Sequence, residues 1–362
     1  MAILAAVVAL ALILTVLWDT FETIVLPRRV RRKIRLTRFV YRVTWTPWRA
    51  LAWRMRNEVK RESFLSFYGP LALLFLLVCW ATGLVFGFGL LDWAMGSSLH
   101  APTGHPGFGT DLYVSGTTFF TLGLGDVTPA NAPERLLTVI EAGIGFGFLA
   151  LVISYLPILY QAFSRREVNV SQLDARAGSP PTAGALLRRH GAGLPADDLM
   201  VFLNKWEQWA AELMESHLSY PSLAYFRSQH DNQSWLGALT VILDTCAVIL
   251  AGLEDVPKHQ ARMTFAIARH AAVDLSQIIT FEPPKKLSVD RLPPADLEQL
   301  RVLLREAGMP FCDNEHATEK LIKLREQYEP YVSVLASMLV TPLPAWLPVE
   351  DARDDWEISP WE

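Results

Sequence analysis

Three apolar stretches long enough to cross a bilayer decide what this chain can fold into: residues 2–26, about 64–91 and about 134–163. A spanning helix needs roughly 20 predominantly apolar residues. The first stretch carries no charge until Asp19 and Glu22 near its far end. A secretory leader would bring a positive n-region and a small-x-small cleavage site. Neither is present, so a spanning helix is expected instead. The residues that follow are strongly basic, from Arg28, Arg29, Arg31, Arg32 and Lys33 through Arg54, Arg56, Lys60 and Arg61. Positive charge beside membrane spans stays on the cytoplasmic side. That puts the N-terminus outside and residues 28–63 inside; Arg165 and Arg166, closing the third stretch, put residues 164–362 inside as well. Trp45, Trp48 and Trp53 lie among the arginines, which suits an amphipathic helix in the inner headgroup layer. Asp19 and Glu22, three residues apart on one helical face, read as partners for the arginines just beyond Pro27.

Residues 92–133 then face outward, yet they hold an apolar run over 112–124 that is too short to cross. Non-helical backbone at membrane depth is tolerated only inside protein or along a watery pathway. Topology alone therefore suggests a re-entrant pore loop. Its end reads Thr121-Leu122-Gly123-Leu124-Gly125-Asp126. A dehydrated cation needs its water shell replaced by oxygens, and backbone carbonyls serve when several in succession point inward. Such a path calls for residues at positive φ, which glycine reaches without steric cost. Asp126 would set a ring of negative charge at the outer mouth. A short pore helix over about 111–120, with Asp111 as its N-cap, would aim its negative end toward the cavity.

Thr117, Thr118, Thr121, Gly123, Gly125, Asp126, Thr128 and Pro129, set between two spans, resemble the pore helix and selectivity filter of the potassium channel superfamily. The likeness is to its two-transmembrane-helix pore module, of bacterial ion channel type, and covers roughly residues 64–163. It implies a selectivity filter of Thr121, Leu122, Gly123, Leu124 and Gly125 with Asp126 at the outer mouth. Permeating K+ would pass between the backbone carbonyls of Thr121, Leu122, Gly123 and Leu124, with no cofactor. One filter segment per chain calls for a homotetramer, because a ring of carbonyls needs four copies. The sequence departs from the commonest pattern at Leu124, where an aromatic is usual, and at Thr117, where many members carry a glutamate.

In the third stretch Gly143, Gly145, Gly147 and Pro157 are candidates for a gating hinge and kink. For the glycines, close helix packing is an equal alternative. Gly83 and Gly87 in the second stretch read as packing positions.

The cytoplasmic half differs in charge. Residues 1–163 hold 14 Lys/Arg against 9 Asp/Glu, and residues 164–362 hold 19 against 28. The acidic half argues against a nucleic-acid partner. Cys79, Cys246 and Cys312 form no paired pattern, which argues against a disulfide framework or zinc cluster. Helical periodicity runs over about 196–218, 234–253, 258–280, 294–308 and 314–339, with no strand followed by a glycine-rich nucleotide motif. His217, His230, Asp231, Asp244, His270 and Asp274 lack metal-ligand spacing, and Trp206, Trp209 and Trp235 read as bundle core.

The expected fold is an all-α membrane protein: three transmembrane helices, a re-entrant pore helix and filter, and an all-helical cytoplasmic domain. Its parts are an N-terminal span (1–27), a basic interfacial segment (28–63), the pore module (64–163), a linker (164–190), a helical domain able to take an unidentified ligand (191–340) and an acidic tail (341–362) that docks on a neighbouring subunit or stays mobile. The expected function is passive potassium conduction across a cell membrane of bacterial inner-membrane type, without enzymatic activity. A non-selective cation channel and a non-conducting sensor are the alternatives. Gly-Leu-Gly-Asp also matches an intramembrane aspartyl protease motif, but that chemistry needs two facing carboxylates. Asp19 and Glu22, the remaining candidates, are expected at the opposite membrane face.

Overall fold

The computed structural model describes the chain except for residues 27–34, 102–106, 192–195, 231, 255, 281–289, 350–353, 355–356 and 358–362. The chain divides into two units, Met1–Pro47 with Pro70–Tyr160, and Trp48–Gly69 with Gln161–Glu362.

The first unit holds the long apolar helices. Helix α1 (Ala2–Thr20) runs on into a wider turn over Phe21–Val25, and α4 (Tyr68–Ala94) and α6 (Ala132–Ala177) are the other two. Only 22% of α1's most apolar window and 11% of α6's is buried within the chain. Their remaining apolar surface needs lipid or other subunits, as a spanning helix does. What α1 does bury is one stripe, Ala9, Ile13 and Val16, at helical spacing. That stripe meets Gly83 and Gly87 of α4: a Cβ would lie 3.1 Å from Val16 Cγ2 and 2.7 Å from Ile13 Cγ1, respectively. Small residues let the two backbones approach.

Asp19 and Glu22 are buried at the end of α1. Asp19 accepts hydrogen bonds from Trp80 Nε1 of α4 at 2.9 Å and from the backbone N–H and hydroxyl of Thr37 at 3.0 and 2.6 Å. Thr37 stands in the first turn of α2 (Leu36–Arg54), so the carboxylate also faces that helix's positive end. Arg35 pairs with Glu22 at 3.5 Å. The expected arginine partner is thus Arg35; the basic run 28–33 lies outside the described residues.

The second unit is a helical bundle. It contains α3 (Glu58–Ser66), α7 (Ala183–Gly191), α8 (Ala196–Ser219), a 3-10 turn (Pro221–Tyr225), α9 (Trp235–Gly252), α10 (Lys258–Ile279), α11 (Pro294–Glu306), α12 (Glu315–Arg325) and α13 (Glu329–Leu339). Helix α9 is apolar enough to be a membrane span, but every residue of it is buried by other helices. Its one charge, Asp244, accepts from both guanidinium nitrogens of Arg291, at 3.2 and 2.7 Å, and from Tyr328 Oη. A buried carboxylate persists only with such partners.

Three expectations are corrected here. Residues 164–190 are not a linker: α6 continues to Ala177, burying Val170, Leu173 and Ala177, and α7 follows after a short turn. The described part of the tail docks on its own chain. Trp346 is 2% exposed, its carbonyl accepts from Gly184 N at 2.9 Å, and the guanidiniums of Arg291 and Arg325 lie over its ring at 5.6 and 5.5 Å. Of the three interfacial tryptophans, Trp45 is buried and Trp48 stacks on Phe64 at 4.4 Å; only Trp53 is exposed.

Candidate functional site

Pore helix α5 (Phe108–Phe119) starts three residues earlier than expected, capped by the backbone of Gly107. Asp111 is therefore in the first turn and not the cap. Its carboxylate is fully buried and accepts from Ser97 Oγ at 2.6 Å. Three contacts wedge α5 between α4 and α6. A Cβ on Gly89 would lie 3.0 Å from Leu112 Cα. Ser115 Oγ donates to Val85 O at 2.8 Å and contacts Glu141 Oε1. At the C-terminal end, Gly145 meets Phe119 so closely that a Cβ would fall 2.1 Å from the Phe119 carbonyl oxygen.

The chain then leaves the helix in an alternating path. Thr121, Gly123 and Gly125 have φ of 58°, 54° and 77°, every second residue in the left-handed region. Glycine accepts that conformation freely, whereas for threonine it costs on the order of 1–3 kcal/mol and persists only where the surroundings impose it. Here Thr117 O accepts from the N–H groups of Leu122 and Gly123, at 2.8 and 3.4 Å, and Thr118 O from Thr121 N at 3.0 Å. The bent end of α5 thus holds the first turn of the path. Residues 120–126 carry little cover in the single chain, with Leu122 at 62% and Leu124 at 64% exposure. Beyond them, Asp126 accepts from Tyr113 Oη of α5 at 3.0 Å. The ribbon β1 (Leu99–His100) with β2 (Thr128–Pro129) closes the loop antiparallel. Ser98 N donates to Glu134 Oε1 at 2.6 Å, fastening it to the first turn of α6.

The gating candidates separate. Gly145 packs against the pore helix, whereas a Cβ added at Gly143 or Gly147 would have nothing within 4 Å in the chain. Helix α6 is continuous through all three and through Pro157. In the bundle, His217 faces Arg166, Asp244 pairs with Arg291, and His270 sits 3.6 Å from Asp274. Asp231 lies outside the described residues. No metal-holding group of three such side chains forms among the described residues.

Sequence reasoning missed Ser115, Tyr113 and Glu141. The last was findable: Glu141 is a carboxylate inside an apolar stretch, and such a residue calls for a functional or structural partner by default. Ser115 and Tyr113 gave no signal apart from the helix register that aims them.

Residues 72–162 match the family model described as "Ion channel". That segment is thus similar to a two-helix ion channel pore module. An uncharacterized membrane protein of Bacillus subtilis (strain 168), YdjJ, is 25% identical over 193 residues, which is 53% of this chain and 56% of that protein. The chain thus spans little more than half of that relative. No solved structure matches. The described residues are almost wholly helical apart from one two-stranded ribbon, carry apolar helices long enough to cross a membrane, and include a segment similar to an ion channel module.

Proposed function

We propose that the chain is one subunit of a homotetrameric, potassium-selective channel, with Thr121, Leu122, Gly123, Leu124 and Gly125 as its filter and Asp126 at the outer mouth. The alternation of left-handed residues at Thr121, Gly123 and Gly125 carries this reading. Alternating hands turn successive peptide planes so that their carbonyls share one side, the condition for a stack of oxygen rings. Exposure of the path in the single chain fits an axis shared by four copies. No acidic side chain stands between Thr121 and Gly125 to break the stack, which favours potassium over sodium. Tyr113 would hold Asp126 at the mouth, where it concentrates cations. The arginine-rich segment supports an orientation with the N-terminus and residues 92–133 outside and the helical domain in the cytoplasm. The test is a reversal potential in planar bilayers under a potassium–sodium gradient, with the mass of the assembly measured in mild detergent. A potential near the potassium equilibrium value from a tetramer is expected. Equal permeability would refute selectivity, and a conducting monomer or dimer would refute the assembly.

A further inference from the structure

Ser115 lies past the middle of α5 and is fully buried. Its hydroxyl touches two oxygens at once, Val85 O of α4 at 2.8 Å and Glu141 Oε1 of α6. A hydroxyl carries one proton and so donates one hydrogen bond, whereas a backbone carbonyl and an ionised carboxylate can only accept. With Glu141 ionised, one of the two contacts would set oxygen against oxygen with no proton between them. With Glu141 protonated the count closes. Glu141 donates to Ser115 Oγ, and Ser115 Oγ donates to Val85 O. One acid proton thus completes a chain through three helices.

The surroundings select the same state. Glu141 is 1% exposed and stands within the apolar run of α6. An isolated carboxylate so buried is far costlier than the neutral acid. The charged groups within electrostatic reach are of like sign: Asp92 of α4 acts on Glu141, and Asp111 of α5 and Glu134 of α6 act on Asp92 in turn. Among the described residues no arginine or lysine stands with Asp92 to hold a negative charge on Glu141.

The chain of bonds also sits next to the path. Ser115 is two residues before Thr117, whose carbonyl accepts from the N–H groups of Leu122 and Gly123, and three before Thr118, whose carbonyl accepts from Thr121 N. One helical turn further along both helices, Gly145 packs on Phe119. The Ser115–Glu141 link and that contact are successive points of one seam between α5 and α6.

We propose that Glu141 is a positioning residue for the 121–125 path and that it acts as a neutral acid, donating its proton to Ser115 so that the serine can bind Val85 at the same time. This rests on the channel reading above, in which that path is the filter. Without the proton, Ser115 serves only one of its two neighbours, and the turn of α5 before Thr117 is held to α4 or to α6 but not to both.

The full chain tests this at neutral pH, by infrared spectroscopy in detergent and by reversal potentials in planar bilayers under a potassium–sodium gradient. The variants are Glu141→Gln, Glu141→Leu and Ser115→Ala. The difference spectrum of wild type minus Glu141→Gln is expected to show the carbonyl stretch of a protonated carboxyl. In Ser115→Ala, where the acid has lost its acceptor, that band should move to higher frequency. Glutamine keeps a donor at this position, so Glu141→Gln should hold the potassium-to-sodium permeability ratio within about twofold of wild type. Glu141→Leu should lower it at least about fivefold, the weight of one ordinary hydrogen bond. A carboxylate band in place of the acid band would overturn the proposal. So would an acid band that Ser115→Ala leaves unmoved, or a permeability ratio on the wrong side of either limit. Should Glu141→Leu fail to assemble, the infrared bands and the glutamine variant decide by the same criteria. Absence of current from wild type would overturn the channel reading instead, with the infrared bands still deciding whether Glu141 holds the proton.

Discussion

Replacing Gly145 by alanine inserts one methyl group at the tightest helix contact in the pore module. The new Cβ would stand 2.1 Å from the Phe119 carbonyl oxygen, 2.9 Å from its carbon and 3.0 Å from its Cα. All three are backbone atoms at the end of α5, so no side chain can rotate away. Relief requires α5 and α6 to part by about 1 Å, and overpacking of this kind costs about 1–3 kcal/mol per chain. The same substitution at Gly143 or Gly147 meets nothing within 4 Å in the chain. There alanine gains about 1 kcal/mol of helix propensity. The three variants share chemistry and helix, so their difference isolates the contact. Phe119 lies two residues before Thr121, and a displaced α5 carries the 121–125 path, the proposed filter, with it. We expect Gly145→Ala to lower the thermal stability of the detergent-solubilised assembly and to shift the reversal potential toward that of a non-selective pore. Gly143→Ala and Gly147→Ala should melt at or above wild type with selectivity intact. A Gly145→Ala protein that melts and selects like wild type would refute the reasoning. So would a Gly143→Ala protein equally damaged.

Other outcomes follow from the same geometry. Gly123→Ser places a β-carbon on a residue at φ 54° and should abolish or strongly weaken potassium selectivity in reversal-potential measurements. Asp126→Asn keeps the Tyr113 contact but removes charge, so unitary conductance should fall at low ionic strength while the ion preference stays. Trp80→Phe deletes the indole donor to buried Asp19. A hydrogen bond to a charged group contributes about 1.5–3 kcal/mol, and the loss should appear as a lower melting temperature, with Trp80→Leu lower still for lack of ring volume. Burial, reinforced by the neighbouring Arg166, pushes the His217 pKa well below its usual value. The unfolded chain therefore binds the proton first, and stability should fall as pH drops below about 6.5, by up to about 1.4 kcal/mol per pH unit. Thermal unfolding of wild type and His217→Gln between pH 7.5 and 5.5 checks this, since the glutamine variant should show a flatter profile.

Much of this architecture is legible from apolar length and period. The three spans begin within a few residues of their expected starts, and helices α8 to α11 keep both expected limits as closely, because long stretches of one period leave little choice. The left-handed turns at Gly123 and Gly125 were legible for another reason: glycines advertise a backbone conformation that few other residues tolerate. Thr121 does not, and its left-handed φ comes from hydrogen bonds to the end of α5 that no local pattern encodes. The supposed linker failed because Gly178, Pro180 and Pro181 dominate their neighbourhood. The Val170, Leu173 and Ala177 stripe that carries α6 onward is short and lies just before them. Asp111 misled in the opposite way, since a good capping residue happened to fall inside the first turn of α5. Contacts such as Ser115 with Glu141, or Asp244 with Arg291, join residues far apart in sequence, and only the fold brings them together.

Helix α9 has a consequence for how the chain is made. Over 18 residues its mean hydropathy is 1.9, so the machinery that sorts nascent segments between lipid and water meets four apolar candidates where the fold needs three. Asp244 is the tenth of those 18 residues, near the midpoint, where an acidic side chain opposes insertion by about 2.5–3.5 kcal/mol. The carboxylate that anchors Arg291 and Tyr328 in the bundle thus also weighs against α9 entering the bilayer.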